Sequence, residues 1–178
     1  MHPYRMREMI KQRGKDKIAN VVQRNSVYQT IDRLLRAELI AVRETERDER
    51  RPERTVYEIT PAGWDALRSW TREMLSTPAR EYPEFPAGLA TAMVLEPADV
   101  LAQLEARAEV LEAERRQALL DAVEASYLPR LFVLDDQYAT AVRDAELQWV
   151  RSVIAALRAG QLTWSEESIR KLAEHLRQ

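Results

Sequence analysis

The chain has no cysteine, and its 178 residues include only two histidines and four glycines. The lack of cysteine excludes disulfides, thiolate nucleophiles and thiolate zinc sites. His2 and His175 lie at opposite ends of the sequence, so no Ser–His–Asp relay or histidine-rich metal site is available. The four glycines are isolated from one another and form no phosphate-binding loop. We therefore expect a protein that is not an enzyme and that needs no cofactor or metal.

Long apolar runs are also missing. No segment approaches the roughly 20 apolar residues that a membrane helix needs, and no apolar stretch follows the basic start as in a signal peptide. Hydrophobic residues make up 46% and charged residues 31% of the chain, which is typical of an ordinary globular protein. These features predict a cytoplasmic protein without membrane contact.

The charge present is divided unevenly along the chain. Residues 1–75 contain 16 Lys and Arg against 12 Asp and Glu, whereas residues 76–178 contain 11 against 17. The first 30 residues alone carry seven basic groups and two acidic ones. Such a patch suits a polyanion, although an ordinary solvated helix face can have the same composition. Only the N-terminal half therefore suits nucleic acid.

The N-terminal half opens with helical patterns. Apolar residues recur at helical spacing over residues 4–13, and Gly14 follows, a residue type that often ends a helix. A second apolar cluster spans residues 18–22. Residues 25–37 then combine a potential N-cap with one apolar face and one face of Ser, Gln, Thr and Arg side chains. This last pattern predicts a helix with hydrogen-bonding groups on its outer side.

Two β-prone segments, residues 39–45 and 55–59, flank the charged segment 46–54. Because this charged segment is too polar to bury, it predicts a loop in solvent at the tip of a hairpin, a wing. Thr60 and Pro61 then fit the N-cap and first position of a helix that ends before residue 78. The order of elements predicts a winged helix-turn-helix domain over residues 1–77.

The C-terminal half predicts only helices. Prolines and the change in charge sign mark a domain boundary over residues 77–86, and a short apolar segment follows at 89–95. Pro97 opens a helix of about 28 residues with a heptad pattern. A second long pattern runs from about residue 130 to 159, and Thr163 with Glu166 fits a capping box for a last short helix. The fold class is therefore mainly α, with an all-helical domain over residues 87–178 that is built on a long antiparallel helical hairpin.

The apolar seam of the two long helices suits pairing between two copies of the chain. Its members are Leu101, Leu104, Leu111, Trp149, Val153 and Leu157. The same seam also suits an intramolecular bundle, and that alternative stays open. Four aromatic residues could line a cavity for a small aromatic effector or simply fill the core: Trp149, Tyr138, Phe132 and Trp164.

Three stretches of the N-terminal half resemble PadR-type transcriptional regulators. They are residues 2–6 (His-Pro-Tyr-Arg-Met), residues 25–34 leading into Leu39 and Ile40, and residues 55–63. The resemblance implies a winged helix-turn-helix followed by a helical dimerisation region. In the family one more helix usually precedes the His-Pro-Tyr position, which implies a shortened chain or a late start codon. Glu38 stands where the family commonly has Gly, so we expect a differently shaped turn there.

The outer face of the 25–36 helix and the resemblance together predict the DNA contacts. We expect base-edge contacts from Asn25, Ser26, Gln29 and Thr30, and phosphate contacts from Tyr28 and Arg33. For Tyr28 the alternative is an interior position beside Ile31.

The wing would add three arginines to this interface. Arg50, Arg51 and Arg54 could reach a phosphate or the minor groove, although neighbouring acidic residues nearly cancel their charge. The sequence thus predicts a sequence-specific regulator, a repressor that binds double-stranded DNA at a pseudo-palindromic operator as a homodimer. A MarR-like regulator, or a winged helix used only for protein contacts, are the alternatives.

Overall fold

The chain divides into two compact units, residues 1–81 and 82–178, in a computed structural model. The structure describes residues 1–15, 24–48 and 51–175, and it describes their side chains except at 24–26, 46–48, 51–54 and 172–173. The division falls inside the proline-containing range 77–86. The apolar cluster predicted at residues 18–22 lies outside the described residues.

The N-terminal unit contains a winged helix-turn-helix. Its elements are α1 (Pro3–Gln12), α2 (Arg24–Arg36), β1 (Ile40–Asp48), β2 (Arg51–Ile59) and α3 (Pro61–Ser76). The ends of α1 follow from its local sequence, because His2 Nδ1 accepts the Arg5 N–H at 3.3 Å and Gly14 adopts a φ of +64°. The predicted class, a mainly α protein with a two-stranded wing, is confirmed.

The turn from α2 into β1 places Glu38 in the left-handed region, with a φ of +56°. The Glu38 N–H bonds the Leu35 carbonyl at 2.9 Å, and the Leu39 N–H bonds the Leu34 carbonyl at 3.0 Å. These two bonds form a Schellman motif, which usually has glycine at the left-handed position. The turn therefore has the shape that glycine would give it, contrary to the expectation of a different shape, and Glu38 bears the strain of its Cβ.

We expect Glu38→Gly to raise the free energy of unfolding of the N-terminal unit by about 1 kcal/mol, because glycine adopts this φ without steric strain. Urea denaturation followed by circular dichroism would measure the change. Glu38→Ala is the matched control, since it removes the charge but keeps the Cβ. Equal stabilisation by both variants would show that the charge, and not the backbone, is responsible.

The hairpin is longer than predicted. β1 and β2 pair antiparallel with Ile40 opposite Ile59, and the pairing extends to Asp48 opposite Arg51. The prediction of a loop over residues 46–54 is therefore wrong in extent. The register pairs residue types of opposite charge in this region, a combination that favours antiparallel pairing. Residues 49 and 50 at the tip lie outside the described residues.

The start of α3 is as predicted, with Thr60 as its N-cap. The Gly63 N–H donates to Thr60 Oγ1 at 2.9 Å, and Pro61 takes the first helical position, where no backbone donor is required. Thr60 Oγ1 also lies 2.8 Å from the Glu38 carbonyl oxygen. One side chain thus ties the beginning of α3 to the turn that follows α2.

The C-terminal unit is all-helical in its described residues, with α4 (Glu84–Thr91), α5 (Pro97–Glu124), α6 (Leu134–Arg158) and α7 (Glu166–His175). Ion pairs between α5 and α6 join Glu105 to Arg158 and Glu114 to Arg143. Because partners late in α5 are early in α6, the two helices run antiparallel. The predicted long helical hairpin is confirmed.

The heptad seam packs inside this hairpin. The buried cluster contains Val100, Leu104, Ala108 and Leu111 from α5 and Leu147, Val150, Ile154 and Leu157 from α6. Of the residues predicted for dimerisation, Leu104, Leu111 and Leu157 are thus buried within their own chain, and Leu101 and Val153 pack half-buried against the cluster. Part of the predicted seam thus packs within the chain, as the intramolecular alternative has it, and the contribution of these residues to pairing stays a prediction.

Two local features of the C-terminal unit differ from the sequence predictions. Residues 84–91 form a helix even though they include Pro86. Proline is tolerated there because it lies in the first turn, where backbone N–H groups have no partner within the helix. The capping box is formed by Ser165 and Ser168, which exchange bonds of 3.2 and 2.9 Å, and not by Thr163 and Glu166. The helix starts later than predicted, at Glu166, and Trp164 just before it packs against the buried cluster.

Candidate nucleic-acid interface

Helix α2 has a buried side and an exposed side. Ile31 is only 5% exposed, and Val27, Leu34 and Leu35 are half-buried. The opposite side presents exposed polar residues, among them Gln29, Thr30 and Arg33. Tyr28 is also exposed, although it lies one turn before Ile31. The apolar side therefore holds the domain together, and the polar side is accessible within the N-terminal unit.

Arg33 lies along this polar side. Its Nε donates to the Gln29 carbonyl oxygen at 3.3 Å, and its Nη2 lies 3.4 Å from Thr30 Oγ1. Arg36 makes the corresponding bond to the Asp32 carbonyl one turn nearer the C-terminus, at 3.3 Å. The guanidinium of Arg33 thus lies next to the backbone carbonyl of Gln29 and the hydroxyl of Thr30, and the side chains of Gln29, Thr30 and Arg33 are exposed. This surface combines a positive charge with groups that can read base edges.

Tyr28 lies at the junction between α1 and α2. It is 46% exposed and lines a small cleft with Val27 and three residues of α1, namely Pro3, Tyr4 and Arg7. The alternative of an interior Tyr28 therefore does not describe its environment. Nearly half of its surface is accessible to an external partner.

Five of the nine predicted DNA-contacting residues lack a described side chain. Asn25 and Ser26 lie in the first turn of α2, and Arg51 and Arg54 lie in β2, but only their backbones are described. Arg50 lies outside the described residues. Their contacts with DNA stay predictions, as do those of the four exposed residues on α2.

The C-terminal unit contains a groove that the sequence did not predict. It has a volume of about 630 Å³, and its wall is formed by Pro83, Glu84, Phe85, Pro86, Leu89, Arg107, Glu146 and Trp149. Phe85 and Trp149 meet edge to face with centroids 6.0 Å apart. Sequence analysis missed the groove because it did not predict α4, the helix that contains Phe85. It assigned those residues to the domain boundary and to a short apolar segment.

Only one of the four aromatic residues predicted to line an effector cavity lies at this groove. Trp149 forms part of the wall, whereas Tyr138 and Phe132 are exposed elsewhere on the unit. Trp164 packs against the buried cluster, and its Nε1 donates to the Leu95 carbonyl at 2.9 Å. Trp164 therefore helps to fill the core, which was the alternative to lining a cavity.

Two further observations concern the described residues only. None of the described helices is both long enough and apolar enough to span a lipid bilayer. Over the same part of the chain, His, Asp and Glu residues form no group of three or more that could hold a metal ion.

The arrangement of α1, α2, the hairpin and α3 defines a winged helix-turn-helix protein. Residues 1–69 match the profile of the Transcriptional regulator PadR-like family, so the predicted resemblance to this family is confirmed for the N-terminal region. No curated protein matches the chain by sequence.

Solved structures share the fold over most of the chain. Bacillus subtilis PadR in complex with operator DNA is 15% identical, with a TM-score of 0.72 over 88% of this chain and 89% of that one. The Vibrio cholerae virulence activator AphA is 24% identical, with a TM-score of 0.54 over 75% of this chain and 76% of its own. The PadR-like regulator BC1756 from Bacillus cereus is 14% identical, again with a TM-score of 0.54 and the same coverage.

Proposed function

We propose that this protein is a transcriptional regulator that binds a pseudo-palindromic DNA operator as a homodimer and represses the adjacent gene. The observation that carries the proposal is the division of α2 into a buried apolar side at Ile31 and an exposed polar side at Gln29, Thr30 and Arg33. The match of residues 1–69 to a family of transcriptional regulators supports it. So does the likeness in fold to a protein that was solved with its operator.

In this proposal α2 lies in the major groove. The Gln29 amide can donate to N7 of adenine through its nitrogen and accept from the N6 amino group through its oxygen, which is a bidentate contact. Thr30 adds a hydroxyl, and Asn25 and Ser26 occupy the first turn, where the helix N-terminus favours contact with phosphate or base acceptors. Tyr28 and Arg33 contact phosphates, and Arg50, Arg51 and Arg54 extend the contact through the wing.

The test compares two substitutions on α2 by selection from random duplexes at two salt concentrations. Gln29→Ala should change the preferred base at one or two positions, at a cost of about 1–3 kcal/mol on the original site. Arg33→Ala should weaken binding to all duplexes alike and lower the salt slope by about 1, because one phosphate contact is lost. Arg170→Ala, an exposed arginine of α7, is the control that should change neither property.

The outcomes separate the alternatives. Equal effects of both α2 substitutions on every duplex would contradict the assignment of base and phosphate contacts. Absence of salt-dependent binding to any duplex would overturn DNA binding and leave a winged helix that contacts proteins.

Pairing is proposed through the apolar surface that the C-terminal hairpin leaves exposed. Near the turn between α5 and α6 five apolar residues are largely exposed: Val123, Tyr127, Leu131, Phe132 and Tyr138. A large exposed apolar patch usually marks a contact site, and we propose that these five residues form one. A second copy of the chain would bury these side chains.

Leu131→Glu should convert the dimer into a monomer at micromolar concentration, since Leu131 is 74% exposed in the single chain and its substitution costs no internal packing. Sedimentation equilibrium would give the mass. Gln148→Glu adds the same charge at a polar position of α6 and should leave a dimer. A monomeric mass for the unsubstituted protein would remove the pairing proposal.

The proposal also includes a small aromatic effector. Its place would be the groove beside Trp149, because this groove combines aromatic walls with a volume in the range of small-molecule sites.

A further inference from the structure

The groove of the C-terminal unit lies between α4 and the α5–α6 hairpin. Its apolar wall consists of the rings of Phe85 and Trp149, the side chain of Leu89 and two prolines. At about 630 Å³ it has room for a ligand of two fused rings, within the usual range of small-molecule sites. Nearly half of Trp149 is accessible, so its ring offers a surface for stacking.

The charge of the groove is negative. Two carboxylates, Glu84 and Glu146, line it against one guanidinium, that of Arg107. Arg107 is already engaged on both sides, because its Cζ lies 3.6 Å from the centroid of the Phe85 ring and its Nε donates to Glu146 Oε1 at 2.6 Å. The positive charge of Arg107 is therefore already paired with a carboxylate of the same chain.

Glu84 is the charge that remains. Its carboxylate makes no hydrogen bond or ion pair with any other part of the chain that the structure describes, and the residue lies in the first turn of α4 and lines the groove. A carboxylate beside exposed aromatic rings is complementary to a positive charge carried by a planar apolar group. An anionic ligand would meet the net negative wall, and a neutral one would leave Glu84 without a partner.

We infer that this groove binds a small aromatic cation, with its rings against Trp149 and its positive charge near Glu84. A small aromatic cation would then be the chemical class of the proposed effector. Any effect of its binding on transcription rests on the proposed DNA-binding function. The ligand would contact α4, which directly follows the segment 77–83 that leads from α3 in the sequence. Binding would thereby restrain the residues through which the two units are joined.

The direct test is calorimetric titration of the full chain with three probes that share a bicyclic aromatic ring system and differ in charge. N-methylquinolinium carries a fixed positive charge, quinoline is uncharged in mildly alkaline buffer, and 2-naphthoate is an anion. The cation should bind at least about tenfold more tightly than quinoline, and 2-naphthoate should bind weakest. Equal affinity for cation and neutral probe, or tighter binding of the anion, would overturn the inference.

Substitutions then locate the site. Glu84→Gln should weaken N-methylquinolinium binding by about tenfold and leave quinoline unchanged, whereas Trp149→Leu should weaken both probes. Glu109→Gln, an exposed glutamate of α5 that does not line the groove, is the control and should change neither. An equal loss of cation binding in Glu84→Gln and Glu109→Gln would show unspecific attraction to an acidic surface and overturn the site.

These measurements contain no DNA, so their failure differs from failure of the proposed function. Loss of cation binding with intact operator binding would remove the effector class alone. Cation binding without any DNA affinity would keep the site and remove the regulator.

Discussion

Gly63→Ala should destabilise the N-terminal unit by about 3 kcal/mol or more, the largest effect expected of any single methyl group there. A Cβ at this position would overlap the carbonyl oxygen of Leu39 and would lie 2.7 Å from Ile59 Cγ1. The backbone has little room to move away, because the same Leu39 carbonyl accepts the Thr60 N–H at 3.1 Å. The beginning of α3 would have to separate from the turn after α2.

Chemical denaturation followed by circular dichroism would measure this loss. Gly88→Ala is the matched control, since a Cβ at Gly88 meets nothing within 4 Å and the residue lies in α4. Alanine there should be neutral or stabilise by up to about 1 kcal/mol. A loss below about 1 kcal/mol for Gly63→Ala would contradict the close approach described above.

Leu147→Ala should destabilise the C-terminal unit by about 2–5 kcal/mol, because it removes a side chain from the centre of the hairpin and leaves a cavity. Leu147 is 3% exposed and belongs to the cluster in which α6 meets α5. Thermal or urea unfolding would measure the change. Val94→Ala is the control, since Val94 is 80% exposed and its truncation should cost no more than about 0.5 kcal/mol. Similar losses for the two variants would show that the seam does not carry the stability of the unit.

The ion pairs along the same hairpin are expected to contribute far less. Arg151 with Glu112 and Arg158 with Glu105 connect the two helices, but each arginine is more than half exposed. Exposed pairs contribute about 0–1 kcal/mol each, since solvent screens the charges and ordering the side chains costs entropy. The apolar seam therefore decides the stability of the hairpin.

The α2 interface could be predicted from the sequence because its signal is local and periodic. An apolar stripe that includes Ile31 and Leu34 requires a buried side, and the residues between them must then face outward. Thr60 and Gly14 marked helix ends for the same reason, since caps depend on residues only a few positions apart. The DNA contacts of Asn25, Ser26, Arg51 and Arg54 stay predictions, because the side chains at these positions are not described.

The partner of the heptad seam could not be read from the sequence. Whether Leu104 and Leu111 pack against α6 or against a second chain depends on a contact about 40 residues away, and both arrangements have the same pattern. The groove is similar, because Phe85, Arg107 and Trp149 come from three separate helices. Local pattern thus determined the winged helix, the long helices and the exposed side of α2. Only tertiary packing decided that Leu104 and Leu111 pack against α6 and that Phe85 and Trp149 meet, because these outcomes depend on contacts between distant segments.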